Sequence, residues 1–258
     1  ALITWLKPVG AFAAAYAGER MGPSKVVMIT NIIFDFFGTL VGYSEEWDIT
    51  RENTSYEYFN TLGFSMEKQE FIQKYGECFM DLTKKATENR NEFHMYDLGK
   101  YFFKKYFQYQ IDDKSNKLFI DKSVNDWNVN VVYFSNINDF IEKLSKKYRL
   151  SILSNTNYSD LVHRNLKNMD IHKYFYKVYT SVEIGIKKPN KQIFEYVLND
   201  LEVQSSNTLF VGDNYNDDYL GARRVGMECY LIDKHNRYDN SINTKINNVF
   251  ELTSNISC

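Results

Sequence analysis

Residues 31–40 read NIIFDFFGTL, an apolar run that ends in an aspartate and continues into a glycine-threonine turn. Such a run is typical of a buried parallel strand, whose carboxyl end opens into a crevice. Asp35 would present its carboxylate there. Gly38 permits a sharp turn, Thr39 can hydrogen-bond back across it, and the backbone N–H groups of the turn can hold an anion. Taken alone, the stretch is also explained by an aspartate that caps an ordinary turn.

Two later segments add a hydroxyl and a cation. LSILSN at 150–155 ends in Ser154 and Asn155, and KKP at 187–189 places a lysine directly before a predicted helix. A strand-end hydroxyl can donate to an anion, and a fixed ammonium balances the charge of carboxylates and of a transferred group. An ordinary turn and a surface lysine explain the same residues when each segment is considered by itself.

A fourth segment supplies two more carboxylates. LFVGD at 209–213 ends in Asp213, and Asp218 follows five residues later, where a helix is expected to begin. From a strand end and the helix start after it, these side chains can converge with Asp35 on one cation. Oxygen ligands with waters retained are what Mg²⁺ prefers. The sequence therefore predicts a magnesium site, the alternative being an aspartate-rich helix cap.

Strand and helix patterns alternate after Val131, whereas residues 45–130 show helical periodicity without a clear strand. Alternating strands and helices imply a parallel sheet with right-handed crossovers. We therefore predict an α/β fold: a doubly wound parallel sheet formed by residues 28–44 and 131–258, with an inserted all-helical cap at 45–130. Within the sheet domain we expect a short strand at 178–180 and a helix over 217–224.

Composition excludes several classes of function. The formal net charge of −2 gives no basis for nucleic-acid binding, and the apolar run near the start is too short to span a membrane. Residues 1–27 are interpreted as a tag, leader or extension. The cysteines are odd in number and widely spaced, which favours a reducing compartment and a cytoplasmic location; they are Cys78, Cys229 and Cys258.

The order and chemistry of the four segments resemble the haloacid dehalogenase-like hydrolase superfamily, in its helical-cap subgroup. Most members are magnesium-dependent phosphatases, so the resemblance implies a small phosphorylated metabolite as substrate and an aspartyl-phosphate intermediate. By the same resemblance Asp35 is the nucleophile, and Lys188, preferred over Lys187, is the catalytic cation. The implied substrate-binding residues are Ser154, Asn155 and Thr39.

The resemblance also implies a ligand set for Mg²⁺. Asp35, Asp213 and the backbone carbonyl of Phe37 would bind the ion, with Asp218 in support. Asp218 is preferred over its neighbour Asp217 because Gly-Ala follows at the matching distance.

Phe37 departs from the phosphatase pattern. Phosphatases of this superfamily usually carry a second aspartate at this position, which protonates the leaving oxygen and then activates water. A phenyl ring can do neither, and loss of a general acid–base costs about 10²–10⁴-fold in rate. Three interpretations stay open: a phosphatase whose leaving group needs no acid or that recruits one elsewhere, a haloacid dehalogenase, and an inactive relative kept for binding.

The remaining polar residues give weaker indications. Arg51, Arg90 and aromatic residues of the cap are candidates to line a substrate pocket. The four histidines show no metal-ligand spacing and are interpreted as surface or packing residues; they are His94, His163, His172 and His235. Neither the identity of the substrate nor the oligomeric state is indicated.

Overall fold

The computed structural model describes residues 28–46, 48, 53–88, 91–238 and 242–256. Its strands are β1 (Asn31–Phe34), β2 (Val41–Tyr43), β3 (Val131–Tyr133), β4 (Arg149–Ser154), β5 (Phe175–Thr180), β6 (Thr208–Gly212), β7 (Glu228–Ile232) and β8 (Lys245–Ile246). Its α-helices are α1 (Thr54–Thr61), α2 (Lys68–Glu88), α3 (Met95–Phe107), α4 (Asp113–Asn128), α5 (Ile137–Ser145), α6 (Ser159–Asn168), α7 (Ser181–Ile184), α8 (Lys191–Asp200), α9 (Gly221–Arg223) and α10 (Leu252–Asn255).

Six strands form one sheet in the order β5-β4-β1-β6-β7-β8, and all its neighbours pair in parallel. The chain leaves β1 towards β4 and β5, then crosses back to β6 and continues outward through β7 and β8. The strand order therefore reverses beside β1, and a crevice at the carboxyl ends of the strands is expected at such a reversal.

Alternation along β1 shows why the sheet is covered on both faces. Ile32 and Phe34 pack into a cluster with α5, α6 and α10, whereas Ile33 packs into a second cluster with α8 and α9. All three side chains are fully buried. Because successive side chains of a strand point to opposite faces, a strand that is apolar throughout must lie between two layers of helices. The predicted doubly wound α/β class is confirmed.

The four helices α1–α4, residues 53–128, lie between β2 and β3; we call them the cap and the six-stranded sheet with its helices the core. The cap has its own aromatic interior, in which the ring of Phe59 lies 5.1 Å from that of Phe71 and 6.1 Å from that of Phe102. The domain boundaries read from the sequence stay predictions. Among the described helices, none has both the length and the apolar content that crossing a bilayer requires.

Two local predictions need correction, and one pair of strands was not predicted. The third strand of the sheet begins at Phe175, three residues before the apolar segment at 178–180. The helix expected over 217–224 is instead a π-helical turn, Tyr215–Leu220, followed by α9. The antiparallel pair β2–β3, which joins core and cap, was missed because each strand has only three residues and its partner is distant in sequence. Residues 1–27, Arg51, Arg90 and Cys258 lie outside the described residues; Cys78 and Cys229 are buried thiols.

The side chain of His94 caps the start of helix α3. Its Nδ1 accepts a hydrogen bond of 3.1 Å from the backbone N–H of Tyr96 at the start of α3, while Asp97 accepts one from the backbone N–H of His94. Burial lowers the pKa of His94, and the positive charge of Lys117 adds to this effect. The negative charges of Asp97 and Asp160 oppose it without reversing it. A protonated Nδ1 cannot accept, and loss of an N-cap costs about 1 kcal/mol.

We expect the free energy of unfolding to fall as pH drops through about 6.5, the ordinary pKa of histidine. Below that pH the unfolded chain binds a proton at His94 more readily than the folded chain does, which favours unfolding. His94→Asn keeps an acceptor and removes the titration, so its stability should depend less on pH. Urea unfolding of both proteins at about pH 7.5 and about pH 5.5 measures the difference. Parallel losses in the two proteins would contradict this role.

Candidate active site

The polar ends of three adjacent strands meet at one edge of the sheet. Asp35 follows β1, Ser154 ends β4 and Asp213 follows β6, and β1 lies between the other two strands. The backbone N–H of Asp35 donates to the carbonyl of Val211 on β6 at 2.8 Å, which extends the pairing of the strands to the aspartate itself. The position of these side chains follows directly from the strand order.

Lys188 joins two of the carboxylates. Its Nζ lies 2.7 Å from Oδ1 of Asp35 and 2.6 Å from Oδ1 of Asp218. The lysine is 2% exposed and Asp218 is 1% exposed, so the ion pairs are shielded from water. Lys187 instead points to Thr87, with Nζ 3.4 Å from its hydroxyl. The structure thus brings Lys188, and not its neighbour, into contact with Asp35.

Asp213 completes an acidic cluster that fits a hard cation. Ligand oxygens of Asp35, Asp213 and Asp218 all lie within 4.8 Å of one another. One ammonium, that of Lys188, balances only part of this negative charge. Carboxylate oxygens gathered at the carboxyl ends of parallel strands are suitable ligands for Mg²⁺, which keeps several of its waters. Asp217 lies beside this group without belonging to it, and the carbonyl of Phe37 as a ligand stays a prediction.

Burial and mutual repulsion alter the acidity of the cluster. Burial raises the pKa of Asp35 to about 6, outweighing the ammonium of Lys188, and the charge of Asp218 adds to the rise. Burial, Asp35 and Asp218 likewise raise the pKa of Asp213. Burial alone would lower the pKa of Lys188, but Asp218 and Asp35 more than reverse that effect and raise it. The ammonium is therefore held in its charged form, and a further cation would stabilise the ionised carboxylates.

Two glycines make room for the carboxylates. A Cβ on Gly38 would lie 2.4 Å from Oδ2 of Asp213, and one on Gly212 would lie 2.3 Å from Oδ2 of Asp218. Gly38 also has φ +85°, which side-chain-bearing residues rarely adopt. The turn after β1 therefore needs glycine for both its backbone conformation and the approach of Asp213.

We expect Gly38→Ala to displace Asp213 and to lower Mg²⁺ affinity and any activity that depends on it. Gly63→Ala is the matched control, since Gly63 has φ +86° with open space around its Cβ. Both variants should lose about 1 kcal/mol of stability or more from the unfavourable φ. Titration with Mg²⁺ and urea unfolding separate the two effects; equal Mg²⁺ affinity in both variants would rule out the displacement.

The predicted anion-binding side chains line the same edge. Ser154 is fully buried, and its Oγ has no hydrogen-bond partner among the residues that the structure describes. A buried hydroxyl without a partner is uncommon, and an oxygen of a bound anion would satisfy it. The hydroxyl of Thr39 donates to Oδ2 of Asp35 at 3.3 Å, so this residue contacts the carboxylate directly.

Asn155 contacts the backbone of Lys188. Its Nδ2 donates to the carbonyl of Lys188 at 3.0 Å, and its Oδ1 accepts from the N–H of the same residue at 2.9 Å. This pair of bonds fixes the backbone from which the ammonium extends. Its role in substrate binding stays a prediction. The contact joins residues 33 positions apart, so nothing in the local sequence pattern could have indicated it.

Aromatic rings surround Phe37, which stands where the family resemblance implies a second aspartate. The ring of Phe37 lies 4.9 Å from that of Phe36 and 5.4 Å from that of Trp127 at the end of α4. Trp127 lies 6.3 Å from the ring of Tyr43, whose pKa burial and the charges of Asp213 and Asp35 raise. Phe37 therefore packs between core and cap, and sequence analysis did not identify Tyr43 or Trp127 as neighbours of the site.

Comparison with known proteins identifies the family of this chain. A family model described as haloacid dehalogenase-like hydrolase matches residues 32–232. A glyceraldehyde 3-phosphate phosphatase of Methanothermobacter thermautotrophicus is 37% identical over 92 residues, which are 36% of this chain and 40% of that protein. A D-ribitol-5-phosphate phosphatase of Bacteroides thetaiotaomicron is 27% identical over 79% of this chain and 91% of its own length.

Solved structures show the same fold. A 2-haloacid dehalogenase from Pseudomonas syringae aligns with a TM-score of 0.64 and 17% identity, over 88% of this chain and 97% of that one. The HAD-hydrolase YfnB of Bacillus subtilis, bound to magnesium, aligns with a TM-score of 0.60 and 19% identity, over 89% and 100%. The resemblance drawn from four sequence segments is confirmed: the chain belongs to the haloacid dehalogenase-like hydrolase family.

Proposed function

We propose that this hydrolase is a magnesium-dependent phosphatase of small phosphorylated metabolites. The observation that carries the proposal is the cluster of Asp35, Asp213 and Asp218 around one buried lysine, because it combines a nucleophile with ligands for a divalent cation. Relatives named as phosphatases of a triose phosphate and of a pentitol phosphate support phosphoryl chemistry. A cytoplasmic location remains part of the proposal.

In the proposed mechanism, Oδ2 of Asp35 attacks phosphorus, since Oδ1 is held by Lys188 at 2.7 Å whereas Oδ2 accepts the longer bond of 3.3 Å from Thr39. The new bond gives an aspartyl phosphate, and the leaving oxygen takes the electron pair of the bond that breaks. Water then attacks phosphorus, Asp35 returns as a carboxylate, and both protons of the water leave on dihydrogen phosphate. Ser154 and the Lys188 ammonium are placed to hold phosphoryl oxygens. Mg²⁺, when bound by Asp35 and Asp213 with Asp218 in support, would neutralise charge on the phosphoryl group.

The environment of Phe37 indicates which phosphates are cleaved fastest. Its ring packs against Phe36 and Trp127. Because a phenyl ring has no acidic proton, this side chain delivers none to the leaving oxygen. Leaving groups that depart as stable anions, such as those of acyl and aryl phosphates, need no such proton. We propose that these react faster than alkyl phosphates, by about the 10²–10⁴-fold that general acid catalysis supplies. Phe37→Asp should reduce this difference by accelerating the alkyl esters.

The direct test is phosphate release from acetyl phosphate and from an aryl phosphate, with Mg²⁺ and after its removal by a chelator. Activity should require Mg²⁺ and fall strongly in Asp213→Asn. Asp217→Asn serves as the matched control, because Asp217 is adjacent in sequence to Asp218 but outside the acidic cluster.

Chloride release from a 2-haloacid without metal would replace the proposal with dehalogenation, for which the aromatic residue at position 37 is the favouring observation. If neither activity occurs and Phe37→Asp creates phosphatase activity, a binding role becomes the better account.

A further inference from the structure

A carboxylate of the cap contacts both loops that carry the anion-binding side chains of the core. Glu92 lies in the segment between α2 and α3, and its Oε1 accepts a hydrogen bond of 2.7 Å from Nδ2 of Asn157. Its Oε2 accepts one of 2.9 Å from the hydroxyl of Ser181. The backbone N–H of Glu92 donates to the carbonyl of Gly185 at 3.2 Å. We call Glu92, Asn157 and Ser181 the cap latch.

The cap latch is reinforced on both sides. Nδ2 of Asn157 also donates to the carbonyl of Phe93 at 3.0 Å, and the N–H of Met95 donates to the carbonyl of Asn157 at 3.0 Å. On the core side, the hydroxyl of Ser181 accepts from the N–H of Thr156 at 2.9 Å. Ser181 is fully buried, so water does not weaken its hydrogen bonds as it would at the surface. Hydrogen bonds to a carboxylate are stronger than those between neutral groups.

The loop that the latch holds leads directly to the reacting groups. Residues 154–157 carry the Ser154 hydroxyl first, then Asn155, then the two latch-bound positions. Asn155 is bonded twice to the backbone of Lys188, and Lys188 is bonded to Asp35. A continuous set of contacts therefore runs from Glu92 in the cap to the ammonium beside the nucleophile. Hydrogen-bonded chains of this kind can carry energetic coupling between two sites.

We infer that Glu92 is a positioning residue: with the cap closed, its carboxylate fixes the 154–157 loop and so sets the positions of Ser154 and Lys188 for the phosphoryl group. The inference rests on the proposed function. It gives the cap a part in anion binding, because the anion-binding geometry is then complete only when the cap is docked on the core. Displacements of about 1 Å in such groups reduce rates by about 10²-fold.

The test compares Glu92→Ala and Glu92→Gln with wild type, using Glu88→Ala as the control. Glu88 is an exposed glutamate at the end of α2. We expect kcat for acetyl phosphate to fall by about 10²-fold in Glu92→Ala, because misplaced groups act mainly in the transition state. Glu92→Gln, which keeps the acceptor for Asn157, should retain intermediate activity, and Glu88→Ala should match wild type.

Amide hydrogen exchange at Lys188, beyond the residues that the latch itself contacts, supplies the readout that a merely local structural role of Glu92 would not move. In Glu92→Ala, exchange should accelerate at the N–H groups of Thr156 and Lys188, which are bonded to Ser181 and Asn155. Exchange at Asp35, whose N–H is bonded within the sheet, should stay unchanged. Accelerated exchange at Thr156 alone, with unchanged kcat, would reduce the latch to a structural contact and overturn the inference.

The same variants separate this inference from the proposed function. If wild type hydrolyses no phosphate, the proposed function fails, and binding of inorganic phosphate in the presence of Mg²⁺ replaces kcat as the measured quantity. Weaker phosphate binding in Glu92→Ala than in Glu88→Ala would then still support positioning by Glu92. Equal affinity in the two variants, or no phosphate binding by wild type, would overturn it.

Discussion

Asp35→Asn is expected to abolish phosphate release, with a loss of about 10³-fold or more, as found when a nucleophile is removed. Asparagine has nearly the same shape, but its carboxamide is not a nucleophile and cannot form the aspartyl phosphate. Release of phosphate from acetyl phosphate with Mg²⁺ measures the effect, and trapping of the phosphorylated protein by rapid acid quench should succeed only in wild type.

The same substitution should leave the fold intact without metal. Burial and the charge of Asp218 raise the pKa of Asp35, so its ionised form is disfavoured in the folded chain. Asparagine keeps an oxygen that can accept from Lys188, and Asp218 remains as the counter-charge of that ammonium, so removal of the Asp35 charge should not lower the melting temperature. Stabilisation by added Mg²⁺ should shrink because a ligand is lost. Asp139→Asn, an exposed aspartate at the start of α5, is the control and should behave as wild type. Retention of more than about a tenth of the wild-type rate in Asp35→Asn would assign the nucleophile elsewhere.

Lys188→Met is expected to have the second large effect, on stability as well as activity. The ammonium is bonded to Asp35 and Asp218 inside the protein, and methionine leaves these carboxylates buried without a counter-charge. Removal of one partner of a buried ion pair typically costs about 3–5 kcal/mol. Because a divalent cation can supply part of the missing positive charge, the loss should be smaller in Mg²⁺ than in chelator.

The activity of Lys188→Met should fall by about 10²–10³-fold, the effect of removing one group that stabilises developing charge. Urea unfolding with and without Mg²⁺ and phosphate release give the two measurements. Lys187→Met is the matched control, since the neighbouring side chain extends to the hydroxyl of Thr87 in the cap and not to Asp35. If both substitutions cost the same stability and activity, the central place of Lys188 in the site would be wrong.

The sheet, and the edge at which its polar strand ends meet, could be predicted because the apolar runs and strand ends that define them are local sequence patterns. Ile32, Ile33 and Phe34 are apolar without alternation, and only a strand covered on both faces buries all of them. A polar residue at the end of such a strand must lie at the crevice, which is why Asp35 and Asp213 could be placed from the sequence. The short strands β2 and β3 could not, since three-residue segments carry too little pattern to specify a distant partner.

The tertiary structure decided what two adjacent residues of equal chemistry contact, although the family resemblance had already favoured Lys188 over Lys187. Lys187 and Lys188 differ by one position, yet one contacts the cap and the other lies between two buried carboxylates. The bonds of Glu92 to Ser181 and of Asn155 to Lys188 join residues 89 and 33 positions apart. The sequence by itself determined the fold class, the family and the edge of the sheet where the polar strand ends meet, because apolar periodicity and strand ends are local. Only the tertiary structure decided which side chains contact Lys188 and the 154–157 loop, because those contacts depend on the positions of whole elements.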